Sequence, residues 1–132
     1  MYLSLLVVGC QKNIKKTNDV KHPVAQIEFP EGTYYDMGYY YEKVVKEHSY
    51  PIHNPGKVPL VIDSIVTFCG CTSAYGPKTP IMPGKTDSIR VVYDGNGFAE
   101  GSFAKTARIF SNADTIVDLI LRGAYFEPIK VK

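Results

Sequence analysis

Residues 81–94 read IMPGKTDSIRVVYD, and their periodicity decides the fold class. Pro83-Gly84 supplies a Pro-Gly turn. Beyond it Ile89, Val91 and Tyr93 alternate with Arg90, Val92 and Asp94, the two-residue period of a strand with one face buried. Upstream, VPLVIDSIVTF (58–68) is nearly continuous in aliphatic residues. It predicts a central strand bent at Asp63-Ser64 that delivers Cys69 and Cys71 to its end. Downstream, Gly95-Asn96-Gly97 and Gly101 mark a loop, and FAKTARIFSNAD (103–114) gives a strand and turn. The last segment, TIVDLILRGAYFE (115–127), sets Val117, Leu119, Leu121, Gly123 and Tyr125 against Asp118, Ile120 and Arg122.

The first half continues the pattern. VAQIEF (24–29) reads as a strand closed by Pro30-Glu31-Gly32. A second is expected from Glu42 to His53, with Val44, His48, Tyr50 and Ile52 on one face and a hairpin turn at Asn54-Pro55-Gly56, where Pro55 fixes φ and Gly56 takes a positive φ. About seven strands, turn signals at roughly eight- to twelve-residue spacing and no helical period predict an all-β, immunoglobulin-like antiparallel sandwich over residues 24–132. Leu60, Ile62, Ile89, Val91, Leu119 and Leu121 are its expected core, drawn from opposing sheets.

The chain has 132 residues, 45% apolar and 12% aromatic, enough for one domain with a single core. Fifteen Lys/Arg oppose thirteen Asp/Glu, and residues 1–23 hold four Lys and one Asp, so the remainder stands at −1. That balance leaves no electrostatic footprint for nucleic acid. The start, MYLSLLVVGC, has the layout of a bacterial lipoprotein signal: Val7, Val8 and Gly9 precede Cys10, the residue that cleavage after residue 9 would expose for acylation. Residues 10–23 then read as a polar, Lys-rich tether ending at Pro23, with His22 as spacer. The expected location is the cell envelope, at the outer membrane, held through a lipid anchor. No other stretch approaches the ~20 apolar residues that span a bilayer.

Two features carry candidate function. TYYDMGYYYEKVV (33–45) holds Tyr34, Tyr35, Tyr39, Tyr40 and Tyr41, which suit half-buried sheet surface and form a candidate partner-binding strip; sugar stacking is a weaker use of the same rings. FCGCTSAYGPKTPIMPG (68–84) places Cys69 and Cys71 one glycine apart, near the upper limit of bridging distance unless Gly70 bends the chain inward. With Cys10 lipidated, two thiols remain, and an even remainder in an exported chain favours a disulfide. A copper or zinc site would need His22, His48, His53 or carboxylates to join them, and buried free thiols are a further alternative. His48 and His53 fit the edge of a core more simply than metal ligation. The C-x-x-C at a helix start of thiol oxidoreductases is missing, as are GxSxG, HExxH and any phosphate-binding glycine loop. The expectation is therefore a non-enzymatic protein with no catalytic residues, cofactor or metal and with an envelope protein as partner; periplasmic thiol or metal handling through Cys69 and Cys71 is the alternative.

FCGCT followed by PIMPG, IRVVYD, GSFAKTARIFSN and LILRGAYF resembles the bacterial immunoglobulin-like family called domain of unknown function family 1573, over about Ile27 to Phe126. The family's Asn-x-Gly turn falls on Asn54 and Gly56, its strand start on Pro59-Leu60, and its signature on Cys69-Gly70-Cys71-Thr72. Its later turn falls on Pro80-Ile81 and Pro83-Gly84, and its Ser-Asn on Ser111-Asn112. Ile52 replaces the usual aromatic before the turn, and HNPG a more polar version. The resemblance implies a short exported sandwich akin to modules that mediate protein contacts, common as lipoproteins in the Bacteroidetes, and brings no established activity.

Overall fold

The alternation at residues 86–94 and 117–125 is realised by two strands that face each other across a core. The computed structural model describes residues 23–96 and 99–132. Seven strands follow in chain order: β1 (Tyr34–Tyr40), β2 (Val45–His53), β3 (Ile62–Thr67), β4 (Thr72–Tyr75), β5 (Thr86–Asp94), β6 (Gly101–Ser111) and β7 (Val117–Tyr125). There is no helix among the described residues. One sheet has the order β1-β7-β6-β3, the other β2-β5-β4. Every pairing is antiparallel except β1 with β7, which is parallel. The protein is an all-β, immunoglobulin-like sandwich.

Ile89, Val91 and Tyr93 of β5 point inward, as do Tyr50 and Ile52 of β2. Ala107 and Ile109 of β6 and Leu119 and Leu121 of β7 meet them from the other sheet. Burying each such side chain stabilises by about 1.5–3 kcal/mol relative to exposure, so the two periodic strands supply much of the driving force. Leu60 is fully buried as expected, whereas Ile62 is half-buried and packs on the cluster from outside. At one end Gly123 leaves room for Phe103, whose ring would stand 2.9 Å from an added Cβ. Phe103 stacks on Tyr93 at 4.1 Å between ring centroids.

Several expectations need correction. Residues 24–29 are not a strand: Ala25 bridges Ala113 beside one sheet and Glu28 bridges His53 of the other. The segment straddles the end of the sandwich and runs along neither sheet. The second strand begins at Val45 rather than Glu42, because residues 41–44 turn the chain between sheets, with Val44 N–H donating to Glu42 O. Val44 is accordingly exposed. The turn at Asn54 is an arch rather than a hairpin, since β2 and β3 lie in different sheets, and Gly56 does not take the expected positive φ; the Asn54 side chain shapes the turn by accepting the Gly56 N–H. Residues 58–68 are not one central strand: β3 is an edge, its Val66 exposed, and Leu60 instead forms an antiparallel bridge with Ile81. The bend at Asp63-Ser64 is present as a register shift between Ile62 and Ser64. The four-residue β4 was not expected, being too short to show a period. Residues 1–9, Cys10, His22 and the tether as far as residue 22 lie outside the described residues, as does Gly97.

Candidate functional site

The tyrosine-rich stretch becomes an edge strand because β1 uses one side of its backbone to pair with β7. No strand covers its other side among the described residues. The alternation breaks in the middle. Gly38 takes φ 71°, its N–H accepted by Asp36 Oδ1 at 2.8 Å, and the register shifts between Asp36 and Tyr39. A bulge of this kind bends an edge and interrupts its row of free backbone groups.

The bulge distributes the five tyrosines. Tyr34 lies on the outer face, accepting a bond from Arg122 Nη1 at 3.4 Å. Tyr35 crosses the sandwich edge to stack on His48, 3.6 Å between centroids and 5° between planes. Tyr39 is 73% exposed beside Phe126, 5.8 Å between centroids, and Tyr41 is also exposed. Tyr40 contradicts the strip: it is only 8% exposed and packs against Phe103 and Tyr125, with Lys46 Nζ 4.7 Å from its ring centre. The register shift turns Tyr40 inward while Tyr39 and Tyr41 stay out. The accessible aromatic surface is thus the Tyr39–Phe126 pair, with exposed Tyr41 two residues on from Tyr39. Phe126 was overlooked because it follows the last periodic residue of β7.

His48 lies on β2 between Tyr35 and Tyr50, whose ring meets it edge-on at 4.7 Å. Burial there holds the imidazole below its ordinary pKa, with Glu31 opposing weakly. Tyr50 is buried and its phenol pushed well above the usual range by desolvation; its O–H donates to Ile120 O at 2.8 Å, tying the two sheets together. These are packing roles.

Towards the same end as Tyr40, to which Phe103, Tyr93 and Lys105 link it, the chain passes from β3 to β4, and so between sheets, through Cys69-Gly70-Cys71. The two cysteines are joined by a disulfide, with Cα atoms 5.1 Å apart. Backbone bonds hold the same corner: Thr72 N–H donates to Cys69 O, Asp94 N–H to Cys71 O, and Thr67 Oγ1 to Thr72 O. Cys71 is buried, while Cys69 is half-buried and borders a cavity of about 490 Å3 whose lining includes Phe68, Lys105, Arg108 and Asp118. Arg108 and Asp118 face each other across β6 and β7 and form a two-pronged ion pair at 2.7 and 2.8 Å. The Arg108 bond holds the Asp118 carboxyl below the ordinary carboxylate range. Among the described residues no three His, Cys, Asp or Glu side chains converge as metal donors. The copper or zinc alternative therefore finds no donor set there, both sulfurs being committed to each other.

The remaining motif residues are structural. Asn54 is fully buried; its Nδ2 donates to Val58 O and Ile81 O, both at 2.8 Å, and its Oδ1 accepts from Gly56 N–H. Asn112 clamps the entry to β3, accepting from Val61 N–H and donating to Pro59 O. With these positions in place, a family model described as protein of unknown function, DUF1573, matches residues 27–124. The chain belongs to the DUF1573 family. No curated protein matches it. Among solved structures, this DUF1573 chain is similar to a protein of unknown function from Porphyromonas gingivalis W83, at 22% identity and a TM-score of 0.65, over 77% of this chain and 46% of that one. It therefore spans less than half of that relative. A PapD-like domain of human CEP192 is similar at 11% identity and a TM-score of 0.59, covering 97% and 98% of the two chains. The periplasmic chaperone SfaE is similar at 9% identity and 0.52, over 77% and 58%. At these identities the likeness is one of fold.

Proposed function

We propose that this DUF1573 protein is a non-enzymatic, lipid-anchored envelope module that binds a protein partner through the aromatic end of β1. The observation that carries this reading is the exposed Tyr39–Phe126 pair, with exposed Tyr41 close by in the chain, on a sheet edge that no strand among the described residues covers. Rigid, partly polar aromatic rings give large contact area at low entropic cost and are enriched at binding hot spots. Because the bulge interrupts the edge hydrogen-bonding row, side-chain anchoring by Tyr39 contributes more here than addition of a partner strand. The fold shared with a periplasmic chaperone supports protein binding as the use of such a sandwich, and LVVGC with the tether that follows supports the anchor. In this reading the tether holds the module at the outer membrane, within reach of envelope proteins.

Two variants test the reading separately. Tyr39→Ala is expected to weaken co-purification of the partner from detergent-solubilised membranes while leaving thermal unfolding unchanged, since Tyr39 is largely exposed. Undiminished co-purification refutes the binding edge. Cys10→Ala is expected to move the protein from the membrane to the soluble fraction with its fold intact; an unmodified amino terminus in the intact mass of the cellular protein refutes the anchor.

A further inference from the structure

The two sulfurs of the Cys69–Cys71 disulfide differ in access and in the donors around them. Cys69 borders the 490 Å3 cavity beside β6, and Cys71 is not part of its lining. Cys71 is only 7% exposed. Around Cys69 Sγ stand two donors, the Cys71 backbone N–H at 3.2 Å and Lys105 Nζ at 3.8 Å. Cys71 Sγ has Thr72 Oγ1 at 3.5 Å. Exchange rates depend on which sulfur is reached, on the stability of the departing thiolate and on access. The two donors around Cys69 Sγ would favour that sulfur as the departing thiolate, so the choice of Cys69 for attack rests on access, and the Thr72 hydroxyl is placed to donate to the thiolate that Cys71 becomes.

We propose that Cys69 Sγ is an electrophilic site for low-molecular-weight thiols that carry an acidic group, a role separate from partner binding at β1. In the step, the incoming thiolate attacks Cys69 Sγ and forms a new S–S bond to it. The Cys69–Cys71 bond breaks, and its electron pair leaves on Cys71 Sγ. One thiolate is consumed and one released, so no outside oxidant or reductant is needed; a second thiol equivalent would complete reduction, and return of Cys71 would expel the ligand. The acidic group is selected by charge. The cavity's ionic side chains are Lys105, Arg108 and Asp118, two cations against one carboxylate, a formal net charge of +1 beside Cys69. Phe68, exposed with the Arg108 guanidinium 5.4 Å from its ring centre, forms an apolar wall for the thiol's carbon chain. Apart from the Cys71 N–H, the bonds that hold the corner join backbone and Thr67 and do not involve sulfur, so the corner stays tied to both sheets while the disulfide is open.

The test treats the oxidised full chain at low salt with 2-mercaptoethanesulfonate and, in parallel, with cysteamine, its cationic counterpart. Each rate is divided by that of the same thiol with an uncharged small disulfide. Reactions are quenched in acid, blocked with N-ethylmaleimide and sequenced by mass spectrometry. The expected result is the small-thiol adduct on Cys69 with maleimide on Cys71, and a normalised rate about fivefold higher for the anionic thiol, reduced by Lys105→Gln and by added salt. Adducts on Cys71 or spread over both cysteines overturn the assignment of Cys69. Equal normalised rates in wild type overturn the charge selection. The adduct map of the wild-type protein stands whether or not Lys105→Gln folds.

Discussion

Asn54 shows how one polar residue sets an arch. Its side chain satisfies two buried carbonyls and one N–H, and its own backbone is bonded to Lys85 O and Gly84 N–H, so the Asn-Pro-Gly and Pro-Gly turns hold each other. Buried polar groups are costly unless bonded, and here each one supplied by Asn54 is used. His48 is the residue whose titration is visible in stability. Its folded pKa is lowered from 6.5 by burial, so the unfolded chain binds the proton more readily. Stability is therefore full above about pH 6.5 and declines as pH falls from there towards the lower folded pKa. Chemical denaturation at pH 8 and pH 5 is expected to give lower stability at pH 5, with part of that difference removed in His48→Gln. A His48→Gln variant with the full wild-type difference would show that other groups cause it. Tyr40 teaches the converse lesson: among five similar tyrosines only a bulge, invisible in composition, sends one to the core.

At the level of elements, the Cys-Gly-Cys corner and the β1 edge behave differently. The disulfide closes a loop with sequence separation 2. Chain-entropy stabilisation from so small a loop is about 1 to 2 kcal/mol, and Cys69→Ser with Cys71→Ser is expected to lose that much in a urea titration without loss of the sheets. Loss of folding in the double variant would give the corner a larger structural role than its backbone bonds imply. Strands β5, β6 and β7 were legible because their alternation is long and unbroken, and the turns at Asn54 and Pro83-Gly84 because their residue types have few other uses. The edge position of β3 was not, since its aliphatic run matches a strand buried on both faces while Val61 and Val66 are in fact exposed. Nor was the path of residues 24–29, whose alternation answers to two sheets at once. Of the candidate site, the tyrosines and both cysteines stood out by type. Phe126, Lys105 and the Arg108–Asp118 pair join them only through cross-strand register, a long-range property no local window contains.

Over the whole molecule, two sheets share one core, and the sandwich stands on the inward residues of β5 and β7. Leu119 is fully buried at the centre of that contact, and Leu119→Ala is expected to cost about 2 to 4 kcal/mol in equilibrium unfolding. A variant as stable as wild type would place the core elsewhere. The aromatic edge and the disulfide corner are carried by different elements, with Phe103 and Tyr93 packed between Tyr40 and Lys105. The central claim, that the module works by binding at the β1 edge, is tested most directly by site-specific photo-cross-linking in intact cells. A benzophenone side chain would replace Tyr39 in one strain and Ser73, exposed on β4 of the other sheet, in a second. A discrete cross-linked envelope protein from position 39 and none from position 73 is the expected result; the same products from both positions, or none from position 39, would contradict it.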